Sequence, residues 1–337
     1  MKQTDTTHQD GSVLSSTACY SEIGQKANQE DTPFPVIGTA TDNQRIFLVC
    51  DGMGGHEHGE VASANVAKTV GEIAQAQPPC DTATMRATFE RALATAYDRL
   101  DEIDTPPSPG RTMGTTLTFL ALCTDGILTA HIGDSRIYQL RPGCGVVFHT
   151  RDHSLVNELI SAGELTEEEA RTFPQRNVIT RAIQPHQEHR DRASYNVISD
   201  IRPGDVFLLC SDGVIEQLDD HDLAQCLLAD GTLSDRLQSV AELCRLRRTR
   251  DNNTAYAIEI AQGLMVAVEP VARQQRHRPK CPLWLIVGLA AVIGAAAAGL
   301  YLFGGKPANT KANARHKQKT EQRTSNKPVL PISHPQR

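Results

Sequence analysis

Five times a short apolar run in this chain meets an aspartate where it ends or begins. The run IFLVC stops on Asp51-Gly52, and VFLLC stops one residue before Asp212-Gly213. HIG leads into Asp134, Asp251 comes just before NTAYAI, and Glu30-Asp31 follows a short N-terminal run. Runs of this length, bounded by Gly, Asp or Pro, read as strands. A carboxylate at a strand end is rigidly held, and carboxylates from different strands can converge. Convergent oxygen ligands with few His or Cys suit hard cations such as Mg²⁺ or Mn²⁺. Two such ions about 3.5–4 Å apart can activate a water and clamp a phosphoryl group. A lone Asp-Gly after a strand is usually a turn. Six acidic residues in five strand-flanking motifs point further, to a divalent-metal site.

The remaining pattern sets the architecture. Strand-like runs fall at residues 12–19, 44–50, 116–122, 127–132, 136–140, 146–149, 205–210 and 254–260. Helical periodicity covers 60–75 and 82–103, each with one apolar face. Two further helical stretches run over 155–171, broken at Gly163, and over 235–248. Hairpin-length gaps between strands and paired helices predict an antiparallel α+β layer structure rather than a βαβ parallel one. Aromatic residues make up only 4% of the chain, so Val, Ile, Leu and Ala must build the core.

Charge is distributed unevenly. The net charge is −6, but residues 304–337 carry eight Lys or Arg and one Glu, which leaves the body at about −13. An acidic body excludes a nucleic-acid footprint, which would need a clustered basic face. The nine cysteines form no CxxC pair and their number is odd, so free thiols in a reducing compartment are expected. The N-terminal segment MKQTDTTHQDGS lacks the apolar core of an export signal. By contrast, LWLIVGLAAVIGAAAAGLYLF at 283–303 is 21 residues without a charge. That length matches a hydrocarbon core of about 30 Å. Trp284 and Tyr301 sit near its ends, where amphipathic rings prefer the interface.

Basic residues flank this run on both sides, so charge does not orient it. The polar N-terminus and the expected free thiols place the body in the cytoplasm, on a single-pass membrane protein. The expected organisation is a disordered stretch at 1–11, one domain at 12–261, a basic juxtamembrane linker at 262–282, the transmembrane helix at 283–303 and a basic disordered tail at 304–337.

Several strings resemble, in order, the motifs of the type-2C metal-dependent serine/threonine protein phosphatases. VCDGMGGHEHGEVAS is similar to that family's VADGMGGHxxGExAS; RTMGTTL, HIGDSRIY, LLCSDGV and RDNNTAYAI match further motifs. DHSLVNELISAGELTEEEAR, with RNVITRAI after it, resembles the family's flap segment, here about 151–183. Together these cover roughly residues 12–261.

The resemblance implies a four-layer αββα sandwich, two packed antiparallel sheets flanked by helix pairs. It implies two Mn²⁺ or Mg²⁺ ions, bridged by Asp51 and bound by the Gly52 carbonyl, Asp212 and Asp251. Asp31 would stand behind them or bind through water, and Asp134 would serve a third, looser ion. A metal-bridging hydroxide would attack phosphorus directly. The implied partners are phosphorylated proteins, among them a Ser/Thr kinase and its substrates.

Two positions depart from the family pattern. Its first motif reads R-x-x-N-E/Q-D, whose Arg holds the substrate phosphate; here Lys26 and Gln29 stand at the Arg and Asn positions. Lys binds phosphate as a point charge, without the bidentate fork. Met53 stands where animal members have a catalytic His. His56, close by, is the candidate proton donor, since an imidazole pKa suits proton transfer; a metal-bound water is the other. The first alternative is a non-catalytic scaffold of the same fold that binds phosphoproteins. The others are a small-molecule phosphate-ester hydrolase and a function residing in the basic tail.

Overall fold

A computed structural model describes residues 13–54, 58–104 and 113–262. The chain divides into a unit at 1–268, to which all of these belong, and a second unit at 269–337. The expected linker, transmembrane helix and tail, the N-terminal stretch 1–11 and the candidate donor His56 lie outside the described residues. Among the described residues no helix is long and apolar enough to cross a membrane.

Two antiparallel sheets form the centre. The first runs β1 (Val13–Glu22), β11 (Asn253–Gln262), β10 (Val206–Cys210), β7 (Arg136–Arg141), β8 (Gly145–His149). The second runs β2 (Asp31–Phe34), β3 (Ile46–Met53), β5 (Leu117–Cys123), β6 (Gly126–Ile132), β9 (Ser194–Ile198), with the short β4 (Gly114–Thr115) paired to the end of β3.

Period-two alternation explains why both faces of each sheet are buried. On β3, Phe47 and Val49 point into the sandwich, where they meet Leu120, Ile137, Phe207, Leu209 and Tyr256. Ile46, Leu48 and Cys50 point outward to α1 (Gly59–Ala76) and α2 (Thr82–Ile103), against Val66, Val70, Phe89 and Leu100. On β10 the same alternation sends Val206, Leu208 and Cys210 to α6 (Asp220–Leu227) and α7 (Leu233–Leu246), against Leu223, Leu237 and Val240. The result is helix pair, sheet, sheet, helix pair. Phe89 stacks obliquely on Phe119 with centroids 4.6 Å apart, so the few aromatics sit where layers meet.

The helix at 82–103 has the bounds its periodicity predicts, opened by Asp81, whose side chain accepts from the Thr84 amide. The stretch 155–171 divides into α3 (Leu155–Ala162) and α4 (Glu167–Arg171), because Gly163 adopts a left-handed φ of 76° and caps α3. Three strands and two helices went unanticipated. β2 has four residues with Pro33 inside it, β4 has two, and β9 (SYNVI) carries Ser and Asn among its five residues. α5 (Asp212–Ile215) is one turn, and α6 rests on an Asp219–Asp222 capping box. The eight described cysteines are free.

Candidate metal centre

Antiparallel pairing decides where the aspartates go. Asp31 opens β2 directly opposite Asp51 near the end of β3. Cys210, which ends β10, lies opposite Arg136 at the start of β7 and Ala255 near the start of β11. Asp212, Asp134 and Asp251 therefore leave their strands at one end of the sandwich, the end where Asp31 and Asp51 lie. All five predicted carboxylates share this rim, with Lys26 in the loop between β1 and β2.

The rim is tied down by the backbone and by small polar side chains. The Asp51 amide donates to Thr116 Oγ1 at 3.0 Å, and its carbonyl accepts from the Thr116 amide and Thr115 Oγ1. The Gly52 amide donates to the Glu30 carbonyl at 3.1 Å. A Cβ on Gly52 would lie 2.3 Å from the Gly59 oxygen and 2.6 Å from the Glu30 oxygen, so only glycine fits. Ser211 Oγ donates to Asp31 Oδ2 at 2.7 Å and accepts from the Thr254 amide at 3.0 Å. Thr116 and Ser135 hydroxyls meet at 2.7 Å, fastening the Asp134 turn to β5. Gln29 Oε1 accepts from the Asp31 amide at 3.1 Å, so the departure at this position still positions the acidic motif.

Electrostatically the site is strained by its own charge. Burial raises the Asp31 carboxyl to about 7, with Asp212 and Asp251 adding to the effect and the Ser211 hydrogen bond opposing it. Burial, then Asp212 and Asp152, raises Asp134 to about 7. Asp212 is lifted to about 6 by burial and then by Asp251. Asp51 is pushed well above the carboxylate range by burial and by Asp31, Asp212, Asp134 and Asp251. Asp31 Oδ1 and Asp212 Oδ1 are buried without a hydrogen-bond donor. Among the described residues, Lys26 brings a positive charge to Asp251 Oδ1 through an ion pair at 2.7 Å, and Arg136 opposes the rise at Asp134.

Packed carboxylates with unpaired oxygens are chemically matched to hard divalent cations, whose charge would relieve the repulsion. The five do not close on one point. Among the described residues the one triad with ligand atoms within 4.8 Å of one another is Asp219, His221 and Asp222. There the two carboxylates are already engaged in the α6 capping box, and Asp222 also pairs with Arg247.

The structure also shows residues that spacing did not single out. Ser211, one residue before Asp212, holds Asp31 through its hydroxyl. Asn252 links two loops: its Oδ1 accepts from the Glu30 amide at 2.8 Å, and its Nδ2 donates to the carbonyls of Ile23 and Asn28. Arg136 forms a two-pronged pair with Asp152 at 2.6 and 2.7 Å, joining the Asp134 strand to the start of the flap. Thr166 and Glu169 form the capping box that starts α4, whose first turn holds Glu167, Glu168 and Glu169.

Comparison with known proteins agrees with this geometry. A family model described as protein phosphatase 2C matches residues 20–253. Protein phosphatase PhpP of Streptococcus pneumoniae is 32% identical over 243 residues, covering 71% of this chain and 95% of PhpP. The solved serine/threonine phosphatase of S. agalactiae superposes with a TM-score of 0.63 at 30% identity, covering 73% of this chain and 99% of that one. The catalytic domain of the serine/threonine protein phosphatase PstP, solved with two manganese ions, superposes at 0.58 with 28% identity, covering 73% of this chain and 98% of its own. The chain belongs to the protein phosphatase 2C family, the metal-dependent serine/threonine protein phosphatases that work with Mn²⁺ or Mg²⁺.

Proposed function

We propose that the rim carboxylates hold two divalent cations and that the chain hydrolyses phosphoserine and phosphothreonine on other proteins. The observation that carries this is Asp51, set among Asp31, Asp134, Asp212 and Asp251 with two carboxylate oxygens lacking any donor. Asp51, the Gly52 carbonyl, Asp212 and Asp251 are the proposed ligands. Asp31, held by Ser211 and Gln29, stands beside Asp51; Asp134 is assigned to a third ion. When bound, such ions supply charge for the phosphoryl oxygens and lower the pKa of a water.

The chain's own groups do the rest. Lys26 offers an ammonium to the substrate phosphate, and Glu30 and Asn252 fix the loop that carries it. The Arg136–Asp152 pair holds the flap's first residues to the strand beside Asp134. In hydrolysis the phosphorus bond to the Ser or Thr oxygen breaks, a bond to water oxygen forms, and a water proton passes to the leaving alkoxide. His56 is the proposed relay, giving its own proton to the alkoxide and taking up the one that the water releases.

The same reading takes a Ser/Thr kinase and its substrates as partners. It also takes the uncharged run 283–303 as a single-pass anchor, with the catalytic domain in the cytoplasm. Anchoring would raise the local concentration against other membrane proteins. The test is turnover of phosphoserine, phosphothreonine and phosphotyrosine peptides beside sugar phosphates, with Mn²⁺. Preference for the first two supports the proposal; preference for sugar phosphates favours a small-ester hydrolase. Phosphopeptide binding without turnover favours a scaffold. Membrane fractionation of the chain with and without 283–337 tests the anchor.

A further inference from the structure

Lys26 does not meet Asp251 by chance, because the loops that carry them are joined through their backbones. The Gln25 amide donates to the Arg250 carbonyl at 3.1 Å, and Gln25 Nε2 donates to the Arg248 carbonyl at 3.1 Å. Gly24, at a φ of +61°, lies so close to Asp251 that a Cβ would stand 2.1 Å from its carbonyl oxygen. Asn252 binds Ile23, Asn28 and Glu30 from the other side. None of these contacts uses the Lys26 side chain. The ammonium is nevertheless delivered to Asp251 Oδ1 at 2.7 Å, and it feels the carboxylates of Glu30 and Asp51 as well.

Resting on the metal reading above, we infer that Lys26 is a built-in competitor of the divalent cation at Asp251. A cation binding Asp251 must either displace the ammonium from Oδ1, which also accepts from the Asn252 amide, or take Oδ2 beside it, and in both cases it meets the Lys26 charge. The side chains are 47% and 36% exposed, so the pair is cheap to break and sets a tunable penalty rather than a block. The displaced ammonium is then free for the substrate phosphate. One residue thereby weakens metal uptake and strengthens phosphate binding, coupling full metal loading to the arrival of an anion. Lys26 is a positioning residue towards the metal and a contact residue towards substrate.

The test is calorimetric titration of the purified full-length protein with Mn²⁺, comparing wild type, Lys26→Met, Lys26→Arg and Asp51→Asn. Lys26→Met should bind the weaker ion about three- to ten-fold more tightly. Its kcat/KM on a phosphothreonine peptide should fall, with most of the change in KM. Lys26→Arg, which keeps the charge, should stay within about two-fold of wild type in Mn²⁺ affinity. Opposite changes in affinity and turnover are something a merely structural lysine would not produce. Equal melting temperatures in chelator check that the variants fold. Unchanged or weaker Mn²⁺ binding in Lys26→Met overturns the inference alone. A wild type that takes up no more Mn²⁺ than Asp51→Asn overturns the metal reading and the inference with it.

Discussion

Replacing Asp31 with Asn should stabilise the metal-free protein at alkaline pH and leave it nearly unchanged in mild acid. Asp31 is 5% exposed and its carboxyl is raised to about 7 in the fold. In the unfolded chain a carboxyl titrates near ~3.9. As pH rises from about 4, the unfolded state ionises while the fold keeps its proton, so stability drains away until the folded group ionises near 7, and the loss is then constant. Three units of displacement correspond to roughly 4 kcal/mol at pH 8.

Asn carries no such cost. It keeps an oxygen for the Ser211 hydroxyl but leaves amide hydrogens unmet, at about 1–2 kcal/mol. The net gain is roughly 2–3 kcal/mol at pH 8, or about 5–10 °C in Tm for a domain of this size. At pH 5 the two effects nearly cancel. His131 and His153, held neutral by burial, lose stability for the fold as pH drops, but they do so equally in both proteins. Thermal melts in chelator at pH 5 and pH 8 give the comparison. With Mn²⁺ present the order should reverse, since the variant has lost a charge the cations need. A variant no more stable than wild type at pH 8, or a gap indifferent to pH, would refute the reasoning.

Other substitutions probe separate parts of the account. Gly52→Ala forces a Cβ against two backbone oxygens at 2.3 and 2.6 Å, so Mn²⁺ binding and turnover should both be lost, with stability lower by more than ~2 kcal/mol in urea titration. Asp205, fully buried, accepts from Gln139, from Arg141 twice and from the Arg202 amide. Asp205→Ala leaves Arg141 with the exposed Asp200 as its remaining ion-pair partner and should cost about 3 kcal/mol while leaving kcat/KM per folded molecule unchanged. Asp134→Asn should lower kcat yet leave two Mn²⁺ ions bound in calorimetry.

The strands most legible in sequence are those whose apolar residues fill both faces of a sheet. At 44–50 and 205–210 the alternation is complete, because one face packs between sheets and the other beneath helices. β2 escaped because Pro33 and four residues give no pattern, yet it is β2 that sets Asp31 opposite Asp51. The aspartates were legible because strand ends leave a mark in sequence. The groups that hold them were not: Ser211, Asn252 and the Lys26–Asp251 pair join segments more than 150 residues apart. No local spacing encodes such contacts. Gln29 acts in the same way: its side chain accepts from the Asp31 amide while donating to Ser21.

The most direct test of the metal-dependent reading is turnover of a phosphothreonine peptide by the full-length protein with Mn²⁺, with chelator, and with Asp212→Asn in place of the wild type. Turnover that needs Mn²⁺ and falls by orders of magnitude in the variant is the predicted result. Turnover that persists in chelator, or that Asp212→Asn leaves intact, would contradict it.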